Sequence, residues 1–184
     1  MKAAKSGAKG ASQRQALAKR TTPASQDAAE LLKADHRKVE ALFEKFEAAQ
    51  NGEKANIVAE VCRELLAHAE IEEEIFYPAC REKNVEASDM DEAQVEHDGA
   101  KILISDLMRG RPEDEFFDAK VTVLKEYVKH HVGEEEKEIF KKARKAGVDM
   151  AELGRKIAER KAELMQETDG PRPSPPVSID VGGL

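Results

Sequence analysis

The sequence predicts an all-α fold: an antiparallel up-down-up-down four-helix bundle with a short fifth C-terminal helix and disordered tails. Apolar residues recur every three or four positions over most of the chain, which is helical spacing, and no alternating strand pattern competes. Charged residues make up 36% of the 184 residues and aromatic residues only 4%, a composition typical of long amphipathic helices. Four such helices with short connections form an antiparallel bundle.

The charge is distributed unevenly along the chain. Residues 1–26 carry six basic residues and no acidic one, without apolar periodicity, and are predicted to be a disordered basic tail. The whole chain has a net charge of −7, so residues 27–184 alone carry −13, which argues against a core that binds nucleic acid. No apolar run reaches the roughly 18 residues of a membrane span. We therefore expect a cytoplasmic protein without membrane contact, in which Cys62 and Cys80 stay reduced.

The bundle is predicted to span residues 27–146, beginning with two long helices. Ser25 or Asp27 is the expected N-cap of the first helix, and Asn51-Gly52 is expected to end it. Its buried stripe is predicted to be Leu32, His36, Val39, Phe43 and Phe46. The second helix should run from about Glu53 to about Arg81, with Pro78 kinking or ending it. Its predicted stripe is Ile57, Val61, Leu65, His68, Glu72, Ile75 and Ala79.

Two further bundle helices and an accessory helix follow. The third helix carries the stripe Met90, Ala93, His97, Ala100, Ile104 and Leu107, and Gly110-Arg-Pro112 breaks it. The fourth is expected to begin near Glu113 and carries Phe117, Val121, Leu124, Val128, His131, Glu135 and Ile139. Residues 147–168 are predicted to contain the accessory helix, whose single apolar side could pack outside the bundle or pair with another subunit in a homodimer. Residues 169–184 are predicted to be a proline-rich disordered tail.

Six polar residues interrupt these apolar stripes. They are His36, His68, Glu72, His97, His131 and Glu135. On a helix, an imidazole four residues before a carboxylate points to the same side, as in His68/Glu72 and His131/Glu135. Counted along the helices at about 1.5 Å per residue, the four histidines fall in one layer. Burying such groups without partners costs several kcal/mol, so they must either hydrogen-bond to one another or bind metal.

The sequence favours metal over a purely hydrogen-bonded layer. Mixed imidazole and carboxylate ligands suit iron, manganese or zinc, and the absence of thiolates disfavours structural zinc. Two carboxylates from opposed helices can each bridge two ions about 3.5–4 Å apart. His130 is rotated by about 100° from His131 and is expected at the flank or surface. Glu40 lies beside the stripe of His36, as an exposed residue or an extra ligand.

Four segments resemble the hemerythrin-like, or HHE cation-binding, domain over about residues 27–146. They are Ala34-Asp-His36, His68-Ala-Glu-Ile-Glu-Glu-Glu-Ile-Phe-Tyr-Pro78, Glu96-His97 and His130-His-Val-Gly-Glu-Glu-Glu-Lys-Glu-Ile-Phe140. The resemblance implies a four-helix bundle with an oxo- or hydroxo-bridged non-haem di-iron centre. It implies Glu72 and Glu135 as bridging ligands and the four histidines as terminal ligands.

Oxygen-carrying members of that family use a fifth histidine, one helical turn from the ligand on the third helix. This chain has Ala93 and Lys101 at those positions. The departure favours peroxide or nitric oxide chemistry, or iron sensing, over oxygen storage. Glu40, Glu96 and His130 are candidates for the vacant position.

Three functions follow from the sequence. The first is a di-iron protein that handles oxygen, hydrogen peroxide or nitric oxide, with catalase-like decomposition of peroxide as a candidate activity. The second is an iron or redox sensor that acts through metal-dependent folding and a partner. The third is a metal-free helical interaction module.

Overall fold

The computed structural model describes residues 27–166, 172–174 and 177–178. The predicted tail at 1–26, and all of 169–184 apart from those five residues, lie outside the described part. Within the described part the chain forms five helices and no strand, which confirms the predicted all-α helical bundle.

The five helices follow one another with short connections. Helix α1 is Ala28–Ala48. Helix α2 is continuous and consists of Asn51–Ile71, a π-helical turn at Glu72–Phe76, and Tyr77–Glu82. Helix α3 is Ala87–Arg109. Helix α4 consists of Phe117–Glu134, a π-helical turn at Glu135–Ile139, and Phe140–Lys145, and helix α5 is Met150–Gln166.

Ion pairs between opposite helix ends show the antiparallel arrangement. Arg144, near the end of α4, donates to Asp27 at the start of α1 over 2.8 Å. Lys142, also near the end of α4, lies 2.8 Å from Asp89 at the start of α3. Helix α4 therefore runs antiparallel to both α1 and α3.

Two predicted helix boundaries are wrong, whereas the N-cap of α1 is Asp27, one of the two residues predicted for it. Asp27 caps α1, since its Oδ1 accepts from the N–H of Ala29 at 3.0 Å. Asn51-Gly52 begins α2 and does not end α1, because the backbone at Ala49 and Gln50 is already extended. Helix α4 begins at Phe117 rather than near Glu113, because a turn at 111–114, closed by the Asp114 carboxylate on the Arg111 N–H, precedes it.

The sequence did not predict the π turns, and the turn in α2 shifts its buried face. The N–H of Tyr77 donates to the carbonyl of Glu72, five residues back, instead of four. The extra residue turns Phe76, Tyr77 and Cys80 into the core, where Ile75 and Ala79 had been predicted. Pro78 lies two residues after the π turn, in the first turn of the segment Tyr77–Glu82, and it does not end the helix. The regular bonding pattern is already interrupted there, so the missing N–H of proline is tolerated.

The core consists of two apolar clusters separated by the predicted polar layer. One cluster contains Leu32, Ile71, Phe76, Met90 and Phe140 together with the apolar side of α5. The other lies around Phe43, Leu65, Ile104 and Leu124. All six predicted site residues are buried between the two clusters. Cys62 and Cys80 are free and buried in different clusters, and burial raises the pKa of each thiol to about 12.

Helix α5 packs against its own chain. Its apolar side contacts α1 and α2, and Leu153, Ile157 and Leu164 are buried there. Arg160 pairs with Glu70 and Glu74 of α2. Of the two roles predicted for this apolar side, packing outside the bundle is the one observed, and a homodimer through this helix stays a prediction.

Within the described residues, none of the helices combines the length and the apolarity that spanning a membrane requires.

Truncation of Ile157 tests whether α5 is an integral part of the fold. Ile157 is 1% exposed, so Ile157→Ala should lower the free energy of unfolding by about 2–5 kcal/mol through lost packing and a cavity. The matched control on the exposed side of α5 is Lys156→Ala, expected to stay within about 0.5 kcal/mol. Urea unfolding followed by circular dichroism measures both, and equal small losses would mean that α5 does not pack as described.

Candidate metal centre

The four histidines form two pairs whose Nε2 atoms point into the polar layer. The Nε2 atoms of His36 and His68 lie 3.1 Å apart, and those of His97 and His131 also lie 3.1 Å apart. All four rings are buried, with 5% to 7% of each residue exposed. Imidazole nitrogens bind ions such as zinc at about 2.0–2.1 Å, so two of them at right angles on one ion lie about 3 Å apart. Each pair therefore has the spacing of two ligands of one ion.

The carboxylates of Glu72 and Glu135 lie between the two histidine pairs. Glu72 Oε1 is 3.2 Å from His68 Nε2, and its Oε2 is 3.5 Å from His97 Nε2. Glu135 Oε2 is 3.4 Å from His36 Nε2 and 3.6 Å from His131 Nε2. Both carboxylates are fully buried. Each one thus contacts both pairs, which is the placement that a ligand shared by two ions requires.

This donor set fits a pair of metal ions. The atoms within reach of one another fall into two groups that share Glu72. Glu72 Oε1 and Glu135 Oε2 are buried and have no hydrogen-bond partner, although buried polar atoms are normally paired. Cations bound between the pairs would satisfy both oxygens. The donors are imidazoles and carboxylates without a thiolate, the combination that suits iron, manganese or zinc.

A carboxylate faces the outer nitrogen, Nδ1, of each of the four histidines in the layer. The Nδ1 atoms of His36, His97 and His131 lie 2.8–3.0 Å from a carboxylate oxygen: His36 from Glu136, His97 from Glu73, and His131 from Glu96. The fourth ring, His68, has Asp35 at 3.6 Å. Histidines that bind metal typically donate their other ring N–H to such a partner, which fixes the tautomer and points the free nitrogen at the ion.

The charges of the layer are balanced by these contacts. Burial by itself raises the pKa of Glu72. The charge of His68 and the hydrogen bonds from His131 and His68 outweigh this effect, and the pKa falls well below its ordinary value. Burial lowers the pKa of His68, yet the charge of Glu72 and the contact with Asp35 raise it to about 10. Without metal, Glu72 is therefore anionic and His68 cationic at neutral pH, and a metal ion that binds His68 displaces its proton.

Tyr77 joins the two central carboxylates on the side of the first apolar cluster. Its hydroxyl donates to Glu135 Oε1 at 2.9 Å and lies 3.5 Å from Glu72 Oε2. Burial and the nearby charges of Glu135 and Glu72 raise its pKa well above the ordinary value, so the phenol stays neutral. Tyr77 thus holds the orientation of both carboxylates.

A small cavity lies on the other side of the layer. Its volume is about 40 Å³, and all four histidines line it together with apolar residues that include Val39, Leu65, Ile104 and Val128. A cavity can hold a water molecule once about 10–15 Å³ is available. This one has room for a ligand of two or three atoms next to the inner nitrogens of the histidines.

The structure separates the remaining candidates from this layer. Glu40 is exposed and 3.5 Å from Arg37, and the side chain of His130 is 63% exposed. Glu96 bonds to the outer nitrogen of His131 and so does not face the inner nitrogens. At the two positions of the missing histidine, Ala93 is buried in the first apolar cluster and Lys101 donates to Glu73 at 2.6 Å. None of the three candidates, Glu40, Glu96 and His130, takes the position of the missing fifth histidine.

Sequence reasoning missed Asp35, Glu73, Glu136 and Tyr77, and it named Glu96 only as a candidate for the vacant position. Their signal is adjacency: an acid directly precedes His36 and His97, and a second acid directly follows Glu72 and Glu135. Consecutive residues on a helix point about 100° apart. Each of these acids therefore faces a histidine on another helix and not the site residue next to it in sequence.

Comparisons with known proteins agree with this geometry. The family model described as the hemerythrin HHE cation binding domain matches residues 27–143. A DNA nickase of Nostoc sp. strain PCC 7120 is 30% identical over 112 residues, which cover 60% of this chain and 32% of the nickase. The chain thus spans about a third of the length of that relative.

Among solved structures, a hemerythrin HHE cation binding domain-containing protein from Mycobacterium kansasii superposes with a TM-score of 0.65. The two chains are 24% identical, and the match covers 75% of this chain and 86% of the other. This likeness supports the helical fold. Since the family model matches well over half of the residues, the chain belongs to the hemerythrin HHE cation-binding domain family.

Proposed function

We propose that this chain holds two non-haem iron ions in the polar layer and handles dioxygen, hydrogen peroxide or nitric oxide. The observation that carries the proposal is the contact of both Glu72 and Glu135 with both histidine pairs. The proposed ligands are His36, His68, Glu72, His97, His131 and Glu135. Iron in such a site supplies electron transfer to small oxygen and nitrogen ligands.

The chain's own residues define what such a centre can reach. The outer carboxylates hold the four rings with their Nε2 atoms inward, and Tyr77 fixes the central carboxylates through its hydroxyl. The cavity of about 40 Å³ admits a small ligand, and its apolar walls limit the number of water molecules beside it. These features support a ligand of two or three atoms over a larger organic substrate.

Lys101 supports peroxide or nitric oxide chemistry over oxygen carriage. Its ammonium group is buried and donates to both oxygens of Glu73, at 2.6 and 2.8 Å. An ammonium held in this way does not donate a lone pair to a metal ion, so four imidazoles are available instead of five. The resulting centre leaves more positions open to exogenous ligands.

An iron or redox sensor is the second candidate, and one contact favours it. Lys161 of α5 pairs with Asp35, the carboxylate that faces His68, and lies 3.5 Å from the buried Glu64. Helix α5 lies outside the matched family domain. Through this contact, metal binding in the layer would affect the packing of α5. A metal-free interaction module is less well supported, because it leaves Glu72 Oε1 and Glu135 Oε2 without partners.

The similarity to a DNA nickase does not extend the proposal to DNA. The match covers about a third of that protein. Residues 27–184 carry a net charge of −13, which repels a polyanion.

Reactivity of the iron-loaded protein tests the proposal. We expect the di-ferrous protein to react with oxygen without a long-lived reversible adduct, and the protein to release oxygen from added peroxide. Stopped-flow absorbance and an oxygen electrode measure the two reactions. Iron binding without turnover of peroxide would favour the sensor, and a stable, reversible oxygen adduct would restore the carrier function.

Removal of either central carboxylate should lower the iron content. Glu72→Ala or Glu135→Ala deletes a ligand shared by both proposed ions, so each variant should bind fewer than two irons per chain. Glu40→Ala is the matched control, since this glutamate is exposed. Elemental analysis after anaerobic loading compares the three variants, and equal iron content in all of them would refute the assignment.

Neighbouring histidines on α4 provide a test of register. His131→Ala removes a buried ring that faces both carboxylates, whereas His130→Ala removes a ring that is mostly exposed. We expect the first variant to lose iron and the second to retain most of it. The reverse order in iron content and optical spectrum would mean that the inner face of α4 is misassigned.

A further inference from the structure

A second, larger space lies against the histidine layer from outside. This cleft, of about 370 Å³, is formed between α1 and α4. His36, Val128 and Val132 line both the cleft and the small cavity beside the histidines. The cleft and the cavity therefore share part of their walls.

The walls of this cleft are basic although the chain is acidic overall. Two carboxylates, Glu40 and Glu136, line it together with five cationic side chains, while the net charge of the chain is −7. The cationic side chains are Arg37, Lys125, Lys129, Lys137 and Lys141. A concave surface with an excess of one charge focuses its electric field and concentrates ions of opposite sign.

Three of these cations have no carboxylate partner within the described part of the chain. Arg37 is bound to Glu136 at 2.7 Å, and Lys125 is bound to Glu47. Among the described residues, none forms an ion pair with the lysines at 129, 137 and 141, which we call the lysine cluster. Gly133 also lines the cleft. The Nζ atom of Lys137 lies 3.8 Å from the position that a Cβ atom on Gly133 would occupy.

The neighbouring surface has the opposite character. Lys129 and Lys137 also border a second cleft, where five carboxylates outnumber these two lysines and Lys142; the carboxylates are Asp89, Glu92, Glu126, Glu134 and Glu138. That side repels anions and suits an approaching cation. An anion that moves toward the histidine layer is therefore favoured on the side of the lysine cluster.

We propose that the lysine cluster binds small inorganic anions, of the size of nitrite or azide, and delivers them past Val128 and Val132 to the cavity. This inference rests on the proposed metal centre, which gives the anion its destination. Electrostatic focusing of this kind raises association rates by about 10- to 1,000-fold.

Association kinetics test the inference without measuring turnover. The variant is Lys129→Gln/Lys137→Gln/Lys141→Gln, and the probe is azide mixed with the ferric, iron-loaded protein. A matched control, Lys45→Gln/Lys83→Gln/Lys145→Gln, changes the net charge equally at exposed lysines outside the cleft. Nitric oxide, mixed with the ferrous protein, serves as a neutral probe.

The expected result is an azide association rate constant about ten-fold lower in the cleft variant at low salt, with a weaker dependence on ionic strength. The control variant and the rate for nitric oxide should change little, and the spectrum of the azide adduct should stay the same. Equal azide rates in wild type and cleft variant, or equal losses in both variants, would overturn the inference while leaving the metal centre intact. A wild-type protein that binds no iron would refute the metal centre and the inference with it.

Discussion

The rest of the structure depends on one constraint: four imidazoles and two carboxylates are buried together in a helical core. Isolated burial of such groups costs several kcal/mol, so each must find a partner of fixed geometry. The core accordingly splits into two apolar clusters with the polar layer between them. Outer carboxylates orient the rings, and Tyr77 orients the two central carboxylates. At the centre of the layer, Glu72 Oε1 and Glu135 Oε2 have no hydrogen-bond partner and are left for a ligand.

The layer is built twice from the same pattern. Helices α1 and α2 supply Asp35, His36, His68, Glu72 and Glu73, and helices α3 and α4 supply Glu96, His97, His131, Glu135 and Glu136 in the same order. In each half, the first acid faces the second histidine of its own half, and the last acid faces the first histidine of the other half. The halves differ in their surroundings: α5 covers Asp35, whereas Glu96 lies beside the exposed His130. Two similar sites with unequal surroundings can hold two ions of unequal accessibility.

Periodicity was enough to predict the helices and to bring the six polar residues into one layer, because buried stripes follow directly from helical spacing. It failed after Glu72, where the π turn adds a residue and buries Phe76 and Tyr77 instead of Ile75. Apolar spacing carries no signal for such a turn. The outer carboxylates were missed for another reason: each binds a ring on a different helix, and single-helix reasoning does not show which faces meet. For the same reason, the sequence did not decide which surface the apolar side of α5 packs against.

Anomalous scattering from crystals of the iron-loaded protein tests the central claim most directly, because it locates each ion. The account predicts two iron peaks in the buried layer, one beside His36 and His68 and the other beside His97 and His131, with Glu72 and Glu135 between them. A single peak in the layer, or iron found only on the surface near His130, Glu96 and Glu134, would contradict it.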